Sequence, residues 1–527
     1  MSESDAEPPR APRFVAAAIL LAASVLLSRV LGFVREAVLA NRIGAGAEMD
    51  AYRAAFQIPD LLNYFLAGGA LSIAFIPMYA RVRGRDGEAA AQRLFAVVLG
   101  TVGAIAVLAT LLLWWWADAL IALQFPRFDP DTQALTAQLT RIVLPAQVCF
   151  VAGGIVRAVL MARDRFATQA LTPVLYNFGI IAAGLAFAGS LGVEGFAWGA
   201  LGGAIVGALL VPLADAHWGA RLKLGLRIAP LDPDLWRYLL VAAPLMLGLS
   251  LLTVDEWYER WFGALLEPGT VARLGYARQL MLAPVAVAGQ AIATAALPTL
   301  SRLWSEKRID ELDMTVLNTL RAGFGLAALG GAALFALSEP LVQFVYQHGR
   351  FTATDSEIVA ALLRILSFAV PGWILQQIAV RAFFARGDTW RPMLLATAIA
   401  LLAIPLYLAL GPRFGAEGLA AAGAIAMTCN ALLTLLLARR LHGAPDLGAL
   451  AGTALRALVI AAAAAVAGAL AVETWMGDSV ALLKLAVGGA TFAITALLGA
   501  RLIGDPPIRE VIARLASIRR RSGRSHG

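Results

Sequence analysis

Two arginines, Arg29 and Arg35, interrupt the first long apolar run of the chain, which begins at Phe14. At the rise of an α-helix Arg29 lies roughly 22 Å past that start, still inside an apolar slab of about 30 Å. A charge at that depth costs several kcal/mol unless it faces a partner or water. Guanidinium groups hold phosphate through forked hydrogen bonds, so the pair predicts an anion site. The alternatives are an ion pair with Glu36 or Asp50, or side chains that reach to the membrane surface.

A second set of polar residues follows in the next apolar segment. Asp50, Arg53 and Gln57 recur at helical spacing and therefore share one face of a helix, with Asn63 further along. This face could line a hydrated cavity in which Arg53 helps to hold the anion. It could equally be the solvated start of a helix, and the spacing alone does not decide between the two.

A third set lies in the second half of the chain. Asp255 and Glu259 follow an uncharged stretch, and an acid inside a membrane can bind a sodium ion or carry a proton. A plain ion pair of Arg260 with Glu259 or Glu256 near the outer surface is the alternative. In the next segment Arg278 is a further candidate contact for the anion, and Gln279 beside it is a candidate lining residue.

The elements that must position these residues are membrane helices. The chain has 527 residues, of which 60% are hydrophobic and 15% charged, and its mean hydropathy is +0.75. Long apolar runs recur about every 30–40 residues, which indicates an all-α polytopic membrane protein. The polar, acidic start lacks a basic region and a cleavage site, so we expect the first run to be a retained span.

Metal, redox and nucleotide chemistry have no sequence signal. The four histidines are scattered, and Cys149 and Cys429 each stand alone in apolar runs. No phosphate-binding loop or hydrolase motif occurs, and the chain leaves no room for a soluble ATPase domain. We therefore expect no cofactor and no enzymatic activity, with Na⁺, H⁺ or the membrane potential as the candidate driving force.

About fourteen spans fit the apolar runs. Basic residues concentrate in alternate loops, such as Arg81, Arg83 and Arg85 after the second span, which places both termini in the cytoplasm. The arginines of the final stretch predict contact with anionic lipids, and no folded domain accompanies them to bind nucleic acid. The predicted parts are a cytoplasmic tail over 1–13, a first lobe over 14–230, a second over 231–445, a helix pair over 446–504 and a basic cytoplasmic tail over 505–527.

The chain also repeats itself at an interval of six spans. The stretch 74–81 (AFIPMYAR) resembles 295–302 (AALPTLSR), and 161–165 (MARDR) resembles 384–388 (FARGD). We therefore expect two pseudo-symmetric six-helix lobes plus a C-terminal helix pair. Transporters built this way bind substrate between the repeats near the membrane midplane and rock to open outward. Chance similarity between apolar segments is the alternative.

Several motifs, taken in order, resemble the MurJ/MviN lipid II flippase family of the multidrug/oligosaccharidyl-lipid/polysaccharide exporter superfamily. They are SRVLGFVR at 28–35, the stretch from Asp50 to Pro77, YQHGRFT at 346–352 and FARGDT at 384–389. The resemblance implies fourteen helices, a central cationic cavity and a groove beside the last two helices for a polyprenyl tail. It also implies that Arg29 and Arg35 contact the pyrophosphate and that Asp50 belongs to the site.

The same comparison exposes departures from the family pattern. Asn63 stands where the family usually has a cavity arginine, and Gly68 where it often has a glutamate. The family has an arginine in its eighth span, and in this chain the corresponding arginine, Arg278, lies one position away from that place. Ala403 and Tyr407 replace asparagines that would help to hold a cation beside Glu259–Arg260.

We therefore predict a monomeric flippase of the bacterial inner membrane that carries lipid II from the cytoplasmic leaflet to the outer one. Its expected partners are the lipid-linked saccharide, membrane lipids and cell-wall synthesis proteins. The alternatives are an exopolysaccharide or O-antigen lipid-linked unit as cargo, a multidrug–cation antiporter, or a non-transporting scaffold of a wall-synthesis complex.

Overall fold

A computed structural model describes residues 11–66, 70–247, 251–476, 479–506 and 509. All regular secondary structure within these ranges is helical. The first helix begins at Ala11, so three residues of the predicted N-terminal tail are already helical. The rest of that tail, Gly68, and most of the predicted basic tail lie outside the described residues.

The chain forms two compact units, residues 1–247 and 248–527. Several of its spans are built from two or three shorter helices, because prolines, glycines and single π-helical turns interrupt them. The helices of the first unit are α1 (Ala11–Ile43), α2 (Ala47–Ala55), α3 (Gln57–Leu66), α4 (Ala70–Trp115), α5 (Ala117–Gln124), α6 (Pro130–Val143), α7 (Pro145–Met161), α8 (Ala167–Leu191), α9 (Glu194–Gly203), a π-helix (Ala204–Leu210), α10 (Val211–Ala214), a second π-helix (Asp215–Gly219) and α11 (Pro233–Leu247).

The second unit carries the repeated half and the last two helices. Its elements are α12 (Leu251–Gly263), α13 (Thr270–Pro284), a π-helix (Val285–Gly289), α14 (Gln290–Ser305), α15 (Ile309–Ala336), α16 (Ser338–Tyr346), α17 (Ala353–Ser367), α18 (Val370–Ala385), α19 (Trp390–His442), α20 (Leu447–Met476) and α21 (Ala481–Ile503).

Two helices are too long to be single spans. α4 has 46 residues and α19 has 53, which correspond to about 70 and 80 Å of helix against an apolar slab of about 30 Å. Each contains one glycine with positive φ, Gly87 at 86° and Gly415 at 59°. This region of backbone conformation favours glycine, so each residue marks a turn between two consecutive helical segments.

Each unit has a break between two consecutive helices next to a proline. α6 passes into α7 at Pro145, and α17 passes into α18 at a bend of 42° next to Pro371. Proline removes a helix hydrogen bond and clashes with the preceding turn, which explains both breaks. The two breaks occupy corresponding places in the repeated halves, the fourth and tenth predicted spans.

By length and hydropathy, eight helices of the described residues could cross a membrane, or nine when α17 and α18 count as one bent span. The shorter interrupted helices make up the rest of the bundle. The predicted total of fourteen therefore stays a prediction, although the order of elements accommodates it.

The division between the units falls later than the predicted lobe boundary at residue 230. α11 packs with the first unit, where Tyr238 lies edge-on against Phe75 of α4 with ring centroids 5.6 Å apart. The sequence predicts a seventh span that begins near Asp234, and the structure divides it: α11 belongs to unit 1 and α12 to unit 2. The aromatic contact that decides this joins residues far apart in sequence.

The segment before α11 has no regular secondary structure and is bonded to α4. The backbone N–H of Arg227 donates to the Ala96 carbonyl over 2.9 Å, and the N–H of Ala229 donates to the Thr101 hydroxyl over 3.0 Å. Gly100 permits this approach, because an added Cβ would lie 2.5 Å from the Arg227 nitrogen.

The C-terminal helix pair packs on α15 through a buried apolar cluster that includes Ala328, Ala457 and Ala500, and it is linked to α15 by an ion pair. Arg321 of α15 donates to Asp505, which follows α21, over 2.7 Å, and to the Thr453 hydroxyl of α20 over 2.7 Å. Asp505 is almost completely buried. This guanidinium links α20 and the residue after α21 to α15.

Candidate functional site

The first candidate site is an arginine cluster in unit 1, formed by Arg35, Glu36, Arg53 and Asn177. Arg35 donates to Glu36 over 2.8 Å, and Arg53 donates to the other oxygen of the same carboxylate over 2.6 Å. Arg35 also donates to the Asn177 side-chain oxygen over 3.1 Å. One buried carboxylate is therefore shared by two guanidinium groups, which leaves the cluster with a net positive charge.

Local sequence explains how these residues meet. α1 ends at Ile43, and Gly44 adopts a positive φ of 87° that no other residue type adopts easily. The chain then reverses into α2, which returns Arg53 towards Glu36. Asn177 comes from α8, where its amide group donates to the Pro173 carbonyl over 3.0 Å and to the Ser28 hydroxyl over 3.3 Å.

The arginines of the cluster keep part of their surface available. The side chain of Glu36 is 5% exposed, whereas those of Arg35 and Arg53 are 25% and 16% exposed. A guanidinium has five N–H donors, and the bonds to Glu36 and Asn177 use only some of those of Arg35. The exposed edge can donate to an anion such as a phosphate.

The other unit 1 candidates differ in their degree of burial. Arg29 lies half-buried on α1, six residues before Arg35. Asp50 and Gln57 are buried, at 1% and 7% exposure, and Asn63 is half-buried. The start of α2 is therefore packed inside the unit, and the alternative of a solvated helix start is wrong.

Sequence reasoning offered Glu36 only as a competing ion-pair partner of the first arginines. The structure makes it the link between Arg35 and Arg53, so an ion pair and an anion site are compatible here. Asn177 was missed as a site residue. A lone amide side chain in an otherwise apolar helix was the available signal, because buried amides need hydrogen-bond partners.

The second candidate site is a carboxylate cluster in unit 2, formed by Asp255, Glu259, Arg278 and Tyr407. Arg278 donates through its Nε to Glu259 over 2.6 Å, through its Nη2 to the second Glu259 oxygen, and also to Asp255. The Tyr407 hydroxyl donates to the other oxygen of Asp255. All three charged residues are below 5% exposure.

This geometry shows which partners Arg278 and Arg260 have within unit 2. Arg278 faces two carboxylates inside unit 2, so its contacts assign it to the carboxylate cluster instead of an open anion-binding surface. Arg260 pairs with Glu256 one turn away, and Glu259 turns inward to Arg278. Gln279 is half-buried and follows Arg278 directly, about 100° further around the helix.

The residues of the carboxylate cluster do not fit a resident metal ion. No group of three or more His, Cys, Asp or Glu side chains with metal-binding geometry occurs among the described residues. The guanidinium of Arg278 already takes up oxygens of both carboxylates that a cation would need. It also lies over the Trp373 ring, 5.9 Å from the ring centroid.

Comparison with solved structures shows which fold the chain has. The chain matches a structure titled "Lipid II flippase MurJ, inward closed conformation" with a TM-score of 0.77 and 21% identity, over 92% of this chain and 99% of that one. It also matches an inward-facing multidrug resistance MATE family transporter of the MOP superfamily with a TM-score of 0.68 and 16% identity, over 81% and 98% of the two chains. The fold is that of this group of multi-span membrane transporters.

Sequence comparison then identifies the family. A sequence model described as "Lipid II flippase MurJ" matches residues 39–488, so the chain belongs to this family. It is 29% identical to a probable lipid II flippase MurJ of Rhizobium meliloti (strain 1021), over 86% of this chain and 85% of that protein. It is also 29% identical to a lipid II flippase MurJ of Burkholderia cenocepacia, over 78% and 81%. Arg29 and Arg35 precede the range that the family model matches.

Proposed function

We propose that this protein is a flippase that moves lipid II, a polyprenyl-pyrophosphate-linked saccharide, from the cytoplasmic leaflet to the outer leaflet of the bacterial inner membrane. The family match over residues 39–488 carries this proposal. The arginine cluster supports it independently, because it is a net positive group of guanidinium donors within a predominantly apolar helix bundle.

In the proposed mechanism, the exposed edges of Arg35 and Arg53 hold the pyrophosphate. Their donors match phosphate oxygens in forked geometry, and Arg29 contributes further positive charge on the same helix. Glu36 has two opposing effects: it orients both guanidinium groups, and its negative charge weakens their hold on the anion. A carrier needs this balance, because substrate must bind on one side of the membrane and leave on the other.

Transport in this proposal changes the side of the membrane that the headgroup faces and breaks no covalent bond, so the protein is not an enzyme. The driving force is the membrane potential or a bound cation such as Na⁺ or H⁺. Each elementary charge that crosses 100 mV is worth about 2.3 kcal/mol. We further propose that the protein acts as a monomer with both termini in the cytoplasm and that it contacts cell-wall synthesis proteins.

The test is rescue of a bacterial strain depleted of its own lipid II flippase. The unmutated chain should restore growth, and the double variant Arg35→Ala/Arg53→Ala should not, at equal protein level in the membrane. The matched control is Arg85→Ala, since Arg85 is exposed and pairs with its neighbour Asp86. Rescue by the double variant would contradict the role of the cluster. Failure of the unmutated chain, despite normal insertion, would instead favour another lipid-linked saccharide as cargo.

A further inference from the structure

We propose that residues 218–231, which run from the end of the second π-helix to the start of α11, form a surface segment that binds anionic phospholipids. Its apolar side chains enter the edge of the lipid core, and its three cationic side chains hold lipid phosphates. The partner is bulk membrane lipid and not the transported cargo, so the inference does not depend on the function proposed above.

The first observation is the exposure of large apolar side chains in this segment. Four of them are at least 70% exposed: Trp218, Leu226, Ile228 and Leu231. In water they would form a costly apolar patch on a connection between helices. The segment is also held in place at its start, because Leu222 is buried and its N–H donates to the Ala216 carbonyl over 2.8 Å.

The second observation is that α4 satisfies the backbone of the segment. The Arg227 N–H donates to the Ala96 carbonyl, and the Arg227 carbonyl accepts from the Thr101 hydroxyl over 3.5 Å. The same hydroxyl accepts from the Ala229 N–H over 3.0 Å. Backbone without regular secondary structure can enter a membrane only where its polar groups find partners. These bonds to α4 therefore allow the segment to lie against lipid.

The third observation is the depth at which the segment is attached. α4 ends at an exposed tryptophan cluster, Trp114 to Trp116, which is typical of a membrane interface. Measured back along the helix from Trp114, Thr101 lies at about 20 Å and Ala96 at about 27 Å. In an apolar slab of about 30 Å, both therefore lie in the last 10 Å or so before the opposite interface. Interfacial apolar groups rest at this depth, about 5–10 Å below the headgroups.

The fourth observation is a set of cations that have no acidic partner. The side chains of Arg221, Lys223 and Arg227 are exposed, and none of the three forms an ion pair with a carboxylate of the described residues. The acids nearest to them along the chain pair with other arginines: Asp215 with Arg165, Asp232 with Arg93 and Asp234 with Arg237. The segment therefore carries a positive charge of three that its surroundings leave uncompensated.

Together these features fit one class of partner. An anionic phospholipid offers acyl chains to the apolar side chains and a phosphate with net negative charge to the cations. A zwitterionic phospholipid offers the same chains, but its own cation offsets its phosphate. A soluble anion would pair with the cations and leave the apolar side chains in water.

The first test measures depth in the full-length protein, reconstituted in nanodiscs of phosphatidylglycerol and phosphatidylcholine. Single cysteines at Leu226, Ile228 and Leu231 carry a nitroxide label, in a Cys429→Ser background because the other cysteine is buried. The labels should collide more with oxygen than with a water-soluble nickel chelate, and they should lie roughly 5–10 Å below the phosphates. A label at the exposed Glu306, introduced as Glu306→Cys, should show the opposite preference.

The second test measures lipid selectivity in the same nanodiscs, from the fraction of spin-labelled phosphatidylglycerol or phosphatidylcholine that the protein immobilises. The unmutated protein should prefer phosphatidylglycerol. The triple variant Arg221→Gln/Lys223→Gln/Arg227→Gln should lower this preference about threefold, because each basic residue near the surface adds to the attraction of anionic lipid. The control, Arg85→Gln/Arg308→Gln/Arg391→Gln, also removes three charges. Those arginines pair with carboxylates, so the preference should change little.

Two results would overturn the proposal. Labels at all three positions that are more accessible to the nickel chelate than to oxygen would place the segment in water, where its apolar face would fit a soluble protein instead. Equal selectivity in the two triple variants would show that the three cations do not hold anionic lipid. The depth measurement keeps all three cations, so it remains decisive if the first triple variant fails to fold. Neither measurement involves the transported substrate.

Discussion

Replacing Glu36 by glutamine tests whether this residue weakens anion binding while it holds two arginines in place. Glutamine is similar in size to glutamate, but it has no negative charge. In the unmutated protein the two carboxylate oxygens of Glu36 lie 2.8 Å from an Arg35 nitrogen and 2.6 Å from an Arg53 nitrogen. One amide oxygen can still accept a hydrogen bond from one guanidinium. The amide nitrogen would face the other guanidinium as a second donor, so at least one charge-assisted bond is lost.

The expected cost in stability is moderate. A hydrogen bond to a charged group contributes roughly 1.5–3 kcal/mol, and the partial exposure of both arginines brings the loss to about 2 kcal/mol. For a protein of this size we expect the unfolding temperature to fall by a few degrees.

The expected effect on anion affinity has the opposite sign. The carboxylate of Glu36 repels an anion that is bound by the two arginines. For unit charges about 6 Å apart, with an effective dielectric constant of about 20, this repulsion weakens binding by about 3 kcal/mol. Exposure to solvent reduces this to about 1.4 kcal/mol, or roughly tenfold in affinity. Glu36→Gln should therefore bind soluble pyrophosphate about tenfold more tightly and yet rescue the depleted strain poorly, because release is slowed.

Titration calorimetry with pyrophosphate measures the first effect and growth rescue the second. Glu36→Asp retains the charge and should stay near the unmutated affinity, and Glu417→Gln controls for the loss of an exposed carboxylate. An unchanged or weaker affinity in Glu36→Gln, with the protein still folded, would show that Glu36 does not moderate the anion site.

Two further substitutions test the packing that supports these sites. Arg321→Met should lower the free energy of unfolding by about 3 kcal/mol, because it leaves the buried carboxylate of Asp505 without its positively charged partner. Thermal unfolding measures this loss. The double variant Arg321→Met/Asp505→Asn should recover much of it, because the carboxylate charge is then absent. Gly100→Ala should cost about 1–3 kcal/mol, since the new Cβ would lie 2.5 Å from the Arg227 backbone. Gly103→Ala on the same helix is its matched control, because nothing lies within 4 Å of that added Cβ, and equal unfolding temperatures for the two alanine variants would contradict the account.

Much of the architecture was readable from the sequence because it depends on local properties. Apolar run length predicts membrane helices whatever they pack against, and all regular secondary structure in the described residues is helical. Proline acts on its own helix, so the breaks at Pro145 and Pro371 follow from residue type. The SRVLGFVR motif and the ordered motifs after it predicted the family, which the sequence comparison confirms.

The tertiary structure decided which charges meet. Spacing along α12 allowed Glu259 to pair with Arg260 just as well as with a residue of another helix, and only the packing of α12 against α13 selects Arg278. In the same way, the reversal between α1 and α2 brings Arg53 to Glu36, and the contact of Tyr238 with Phe75 places α11 in unit 1. Helical periodicity tells which residues share a face, whereas the partner across the interface depends on how two helices pack, and that is set by contacts between residues distant in the chain.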